Sequence, residues 1–256
     1  MCIRLQEVLL PLDMPILQCH NSSMAKRKER AEQLTFGRLM GGRRKGAGRK
    51  KSRDSGVSHL KRETITKDTP VHVVMKLEKG LPSLRQPKEY QVAWGSIKAA
   101  RERAGTSGTG WFALVHYSIQ GDHLHLVVEA NDNDSLSRAL NGLAVRLARG
   151  LNRLWERVGS VFADRYHCTV LRTPRQVRNT LRYIFENARR HGLPRFRNRP
   201  DPFTSGLWFT GWKDYVHDGF LSWEGPMAQA RSWLLREGWK RHGLLDLRPV
   251  WNINAA

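Results

Sequence analysis

Residues 121–130 read GDHLHLVVEA. Side chains alternate along a strand, so Leu124, Leu126 and Val128 share one face and His123 and His125 share the other. Upstream, GWFALVHYSIQ (110–120) has the same strand character, and Gly121-Asp122 reads as a tight two-residue turn. Residues 110–130 therefore read as a β-hairpin with both histidines at the start of its second arm. Two imidazoles on one face of a core-like strand are either hydrogen-bonded polar residues or half of a metal site, and the spacing alone does not choose.

Working outward, VHVVMKL (71–77) reads as a strand and 88–105 as a helix with Val92, Ile97 and Ala100 inward and Gly105 as its stop. After the hairpin, Asp134 or Ser135 caps a long helix. In it Leu136, Leu140, Leu143, Leu147, Leu151 and Leu154 recur at steps of three and four, the spacing of one buried stripe. RYHCTVL (165–171) is a further strand. Thr173 as N-cap and Pro174 at the first helical position then open a helix that Gly192 stops, with Val177, Leu181, Ile184 and Ala188 inward. Strand, helix, strand, strand, helix, strand, helix is a ferredoxin-like α+β order, with an antiparallel sheet and helices packed on one face. On the last helix Tyr183 and Asn187 lie about 40° apart, so they reach one common point beside the sheet.

Charge gives the class of partner. The 256-residue chain carries a net charge of +21, a surplus that self-repels unless a polyanion offsets it. Residues 26–53 hold twelve basic and two acidic residues, and GGRRKGAGRKKSR within them is too polar to bury a core. This segment reads as an arm laid along DNA phosphates, with Arg43, Arg44, Lys45, Arg49, Lys50 and Lys51 as contacts. On the long helix Arg146, Arg149 and Arg153 lie off the leucine stripe and are further candidate DNA contacts. Cys2, Cys19 and Cys168 are scattered and form neither a disulfide framework nor a zinc pattern. No apolar run is long enough to span a membrane. MAKRKER from Met24 looks like the more natural start of the chain.

HYSIQGDHLHLVVEA, RYHCTVL, LRYIFENARRHGL and DPFTSGLWFTGW together resemble the single-tyrosine HUH transposases, in particular the REP-associated tyrosine transposase branch, across roughly residues 70–240. The resemblance implies the HUH endonuclease fold and cutting of single-stranded or hairpin DNA, with strand transfer through a covalent 5′-phosphotyrosine. It implies Tyr183 as nucleophile, and His123, His125 and Asn187 as ligands of a divalent cation, Mg2+ or Mn2+. Asp122 and His167 are candidates for the metal or for the groups around it, as is Glu186. Two positions depart from the family pattern. Ala188 follows Asn187 in place of the usual Pro, and Gly121-Asp122 stands where Pro-Asn is more common.

The expected layout is a basic arm (1–55), a catalytic domain (56–200) and a tryptophan-rich extension (201–256) docked on it. The expected setting is a bacterial cytoplasm or nucleoid, without membrane association, as a monomer or homodimer with the monomer preferred. The alternative from another class is a domesticated DNA-binding protein that keeps the fold and recognises DNA without cutting it.

Overall fold

The computed structural model describes residues 62–103, 110–190, 199–215, 225 and 227–247. The basic arm with Arg43, Arg44, Lys45, Arg49, Lys50 and Lys51 lies outside them. So do Met24, Gly105, Gly192, Trp223, Trp251 and the side chain of Ala188.

Four strands, β1 (Val71–Lys76), β2 (Phe112–Ile119), β3 (His123–Ala130) and β4 (His167–Val170), form one antiparallel sheet in the order β2-β3-β1-β4. With α1 (Pro87–Arg103), α2 (Asn133–Leu154) and α3 (Pro174–Arg190) the chain runs β1α1β2β3α2β4α3, the ferredoxin-like order with one helix added. The Gly121-Asp122 turn is closed by the Gln120 N–H donating to the His123 carbonyl at 2.9 Å. In the β1–β3 register Val74 faces His125 and Lys76 faces His123. A bulge in β2 between Leu114 and His116 lets Leu114 and Tyr117, three residues apart, enter the same core.

Leu124, Leu126 and Val128 are buried with Val71, Val73 and Met75 from β1 and with Ala93 and Ile97 from α1. The α2 stripe of Leu136, Leu140, Leu143, Leu147 and Leu151 covers them, and Leu154 is only half-buried in the last turn. The two helices cross closely at Gly150, where a Cβ would come within 2.6 Å of Val92 Cγ1. The N-cap of α2 is Asp132, ahead of the expected Asp134 or Ser135, and its side chain accepts the Ser135 N–H at 2.7 Å. The polar run NDND offers several caps. Asn133 is committed elsewhere, since its Oδ1 accepts the Ile65 N–H and its amide donates to the Glu63 carbonyl.

α1 and α2 are thus the helices on one face, while α3 lies on the other, the histidine face. Its stripe of Val177, Leu181 and Ile184, with Phe185, needs a second apolar surface, which Ala113, Val115 and Val127 supply. Thr173 caps its start as expected from the sequence, and Gln176 completes a capping box. Thr173 Oγ1 accepts the Gln176 N–H at 3.2 Å, and Gln176 Oε1 accepts the Thr173 N–H at 3.2 Å.

The chain after 199 packs on both cores, Phe203 and Trp208 on the first and Phe209, Trp212 and Trp239 on the second. Asp201 forms a two-pronged ion pair with Arg85 at 2.8 and 2.9 Å, and the Ile119 N–H donates to the Phe203 carbonyl at 2.8 Å. Trp212 and Trp239 are buried against Phe185 and Phe209, Trp208 is half-buried, and Trp233 is exposed at 48%. Glu129, fully buried on the histidine face of β3, accepts the Arg231 and Ser232 N–H groups at 2.8 and 3.0 Å, just ahead of the single turn α4 (Trp233–Arg236). Among the described residues no helix is long and apolar enough to cross a membrane.

Candidate active site

Because α3 crosses the histidine face of β3, its polar flank meets the two imidazoles. His123 Nε2 and His125 Nε2 are 3.0 Å apart, and Asn187 Nδ2 lies 2.6 Å from His125 Nε2 and 3.5 Å from His123 Nε2. His125 and Asn187 are almost fully buried, with 3% and 1% exposure. Tyr183, one helical turn before Asn187, is half-buried with its ring edge-on to His125, centroids 5.2 Å apart at 81°. The common point expected from helical spacing is therefore occupied by both side chains.

The outer nitrogens of the pair are held as well. His123 Nδ1 is 2.7 Å from Asp122 Oδ1. Burial pushes the Asp122 carboxyl up, but the hydrogen bond and charge of His123, with Lys76 nearby, outweigh it and hold the group below its usual range. An ionised carboxylate only accepts, so His123 Nδ1 donates in this contact, and in the neutral ring the lone pair then lies on Nε2. His125 Nδ1 is 3.1 Å from His72 Nε2, and the two rings stack with centroids 5.2 Å apart. Burial, with a smaller contribution from the charge of His167, pulls His72 down to about 4.

This donor set fits a divalent cation. Two imidazole nitrogens 3.0 Å apart have the spacing of neighbouring ligands set about 2.1 Å from one ion. A carboxamide beside them presents oxygen as readily as nitrogen by rotation of the amide. Among the described residues no group of three or more His, Cys, Asp or Glu side chains is placed to hold a metal, and Asn187 is the carboxamide that lies beside the histidine pair. Glu186 Oε1 instead meets Arg182 Nε at 3.3 Å along the helix.

Other candidates are placed apart. His167 is exposed on β4 and pairs with Val74, which in turn pairs with His125. Two strand spacings, about 10 Å at the backbone, separate it from the pair, and among the described residues it joins no group of three or more His, Cys, Asp or Glu side chains placed to hold a metal. Tyr166 faces the opposite core, where Arg62 Nη1 donates to its hydroxyl at 2.5 Å. Arg146, Arg149 and Arg153 ride on α2, across the sheet from the histidines, because the leucine stripe turns that helix toward Leu124 and Leu126. His116 packs between Phe185 and Phe209, its Nδ1 is 3.2 Å from Ser205 Oγ, and burial pulls its pKa down to about 3.

His72 and Lys76 were not singled out in the sequence. The signal was present in VHVVMK, where Val71, Val73 and Met75 alternate with His72, Val74 and Lys76. It became useful only once β1 was known to pair with β3.

No protein-family model matches the chain, and no curated protein does. Among solved structures, a REP-associated tyrosine transposase bound to a REP hairpin is similar over 66% of this chain and 92% of that one, with a TM-score of 0.50 and 16% identity. The four-stranded antiparallel sheet and its helices therefore have the fold of that tyrosine transposase.

Proposed function

We propose that this protein is a metal-dependent tyrosine transposase that cuts and rejoins single-stranded or hairpin DNA. The observation that carries the reading is the convergence of Tyr183 and Asn187 from α3 on the paired Nε2 atoms of His123 and His125. The shared fold with a tyrosine transposase that was bound to a hairpin supports the same class.

In this reading Tyr183 is the nucleophile. Its phenolic oxygen loses its proton and attacks the scissile phosphorus. The bond to the 3′ oxygen breaks, that oxygen takes up a proton, and a 3′-OH and a 5′-phosphotyrosine remain. Bond energy is kept in the ester, so the 3′-OH of a second strand can displace the tyrosine without an external energy source. His123, His125 and Asn187 hold the divalent cation, Mg2+ or Mn2+, with Asp122 orienting His123. When bound, such an ion offsets charge on the scissile phosphate. The basic arm and the Arg146, Arg149 and Arg153 row hold phosphates by charge. Since that row lies on the far face of the sheet, it serves DNA flanking the cut and not the scissile strand.

The test is cleavage of labelled hairpin DNA with Mn2+ by wild type and by His123→Ala. Wild type should cut, and the variant should lose cutting while keeping salt-sensitive binding. Equal cutting by both would overturn the metal site, and binding without cutting by wild type on its cognate hairpin would favour the domesticated DNA-binding protein.

A further inference from the structure

We infer that His72 is a positioning residue: its Nε2 accepts the Nδ1–H of His125 and thereby keeps the His125 lone pair on Nε2, aimed at His123 and Asn187. This rests on the metal reading above.

The geometry leaves His125 one arrangement that suits that reading. Its Nε2 faces two nitrogens, His123 Nε2 at 3.0 Å and Asn187 Nδ2 at 2.6 Å, and its Nδ1 faces His72 Nε2 at 3.1 Å. An imidazole with its lone pair on Nε2 carries its proton on Nδ1, and a buried N–H needs an acceptor. His72 Nε2 lies within hydrogen-bond distance of that nitrogen. The stacked ring also fixes the plane of His125, at 23° to His72. Tyr183 sits beside both rings, its centroid 6.2 Å from that of His72 at 76° and 5.2 Å from that of His125. One β1 side chain thus braces a ligand and flanks the nucleophile. His123 has a carboxylate, Asp122, in the corresponding role. The two ligands are therefore oriented by different chemistries, an anion at the half-buried ligand and an imidazole at the buried one.

The variants are His72→Phe, which keeps a stacking ring and removes the acceptor, and His72→Gln, whose side-chain oxygen restores one. Imidazole 15N NMR of the metal-free full chain reads the His125 tautomer, and titration with Mn2+ alone reads affinity. Wild type should show His125 protonated on Nδ1. His72→Phe should show a tautomer mixture and bind Mn2+ about 10–100-fold more weakly, the range for losing a group that orients a ligand. His72→Gln should stay within about threefold of wild type, against that same range. Wild-type Mn2+ affinity in His72→Phe, or equal loss in both variants at unchanged melting temperature, would overturn the inference. If wild type and His125→Ala bound Mn2+ equally, the metal reading would fall instead, and the tautomer spectra would still decide the role of His72.

Discussion

Glu129 offers a perturbation whose size follows from its surroundings. Its carboxylate is fully buried and receives two backbone N–H groups, from Arg231 at 2.8 Å and Ser232 at 3.0 Å, and the Arg231 guanidinium lies over the Trp111 ring. Replacing Glu129 by Gln keeps the shape. The amide oxygen can serve one N–H, but the amide nitrogen must then point at the other. One charge-assisted bond, worth about 1.5–3 kcal/mol, is lost, and a buried donor is left facing a donor at a further cost of about 1–3 kcal/mol. Relaxation of this segment offsets part of that, so the net expectation is about 2–4 kcal/mol of destabilisation. Urea unfolding gives the stability, and hydrogen exchange at the Arg231 and Ser232 amides locates the loss. A change below about 0.5 kcal/mol, the size of an ordinary surface substitution, with unaltered exchange at those amides, would refute the role assigned to Glu129.

Asp122→Ala should weaken Mn2+ binding about tenfold by titration and leave the unfolding midpoint nearly unchanged, since the carboxylate is largely exposed. Acid should act through His116, whose pKa is held near 3 in the fold. The unfolded chain takes up that proton first, so the stability is fully present above about pH 6.5 and is lost as pH falls toward 3. From pH 7 to 5 the His116 share of the loss is about 1–2 kcal/mol, with partial exposure of the ring setting the lower end, and the loss should shrink by that amount in His116→Gln, where His72, also held low, keeps its own share. Arg149→Ala with Arg153→Ala should weaken DNA binding and lower the slope of log affinity against log salt by up to about 2, measured by fluorescence anisotropy. An unchanged slope would remove α2 from the DNA surface.

Much of the candidate site was legible because periodicity carries it. Strand alternation put His123 and His125 on one face, and helical spacing put Tyr183 and Asn187 on one flank. Thr173-Pro174 gave the start of α3 through local capping chemistry, which needs no tertiary information. Tertiary facts were the ones that stayed hidden. Nothing in VHVVMK names its pairing partner, so His72 acquired meaning only from the β1–β3 register. The arginine row on α2 was visible as a row, but the face of the sheet it would occupy depended on where Leu136 to Leu151 packed. The cap of α2 was ambiguous because NDND offers several acceptors, and Asn133 was drawn to Ile65. Glu129 read as one more polar residue on a strand, because its partners lie about a hundred residues downstream.

The most direct test of the central claim is to find the atom that carries the DNA. After reaction with labelled hairpin DNA and Mn2+, trypsin cleaves behind Arg182 and Arg189 and releases YIFENAR, residues 183–189, as one peptide with a single tyrosine. Mass spectrometry should find that peptide heavier by a 5′-phosphorylated DNA fragment, and Tyr183→Phe should abolish the adduct while DNA binding persists. An adduct on any other tyrosine, or one that survives Tyr183→Phe, would contradict the assignment of the nucleophile and with it the role given to the convergence of α3 on the histidine pair.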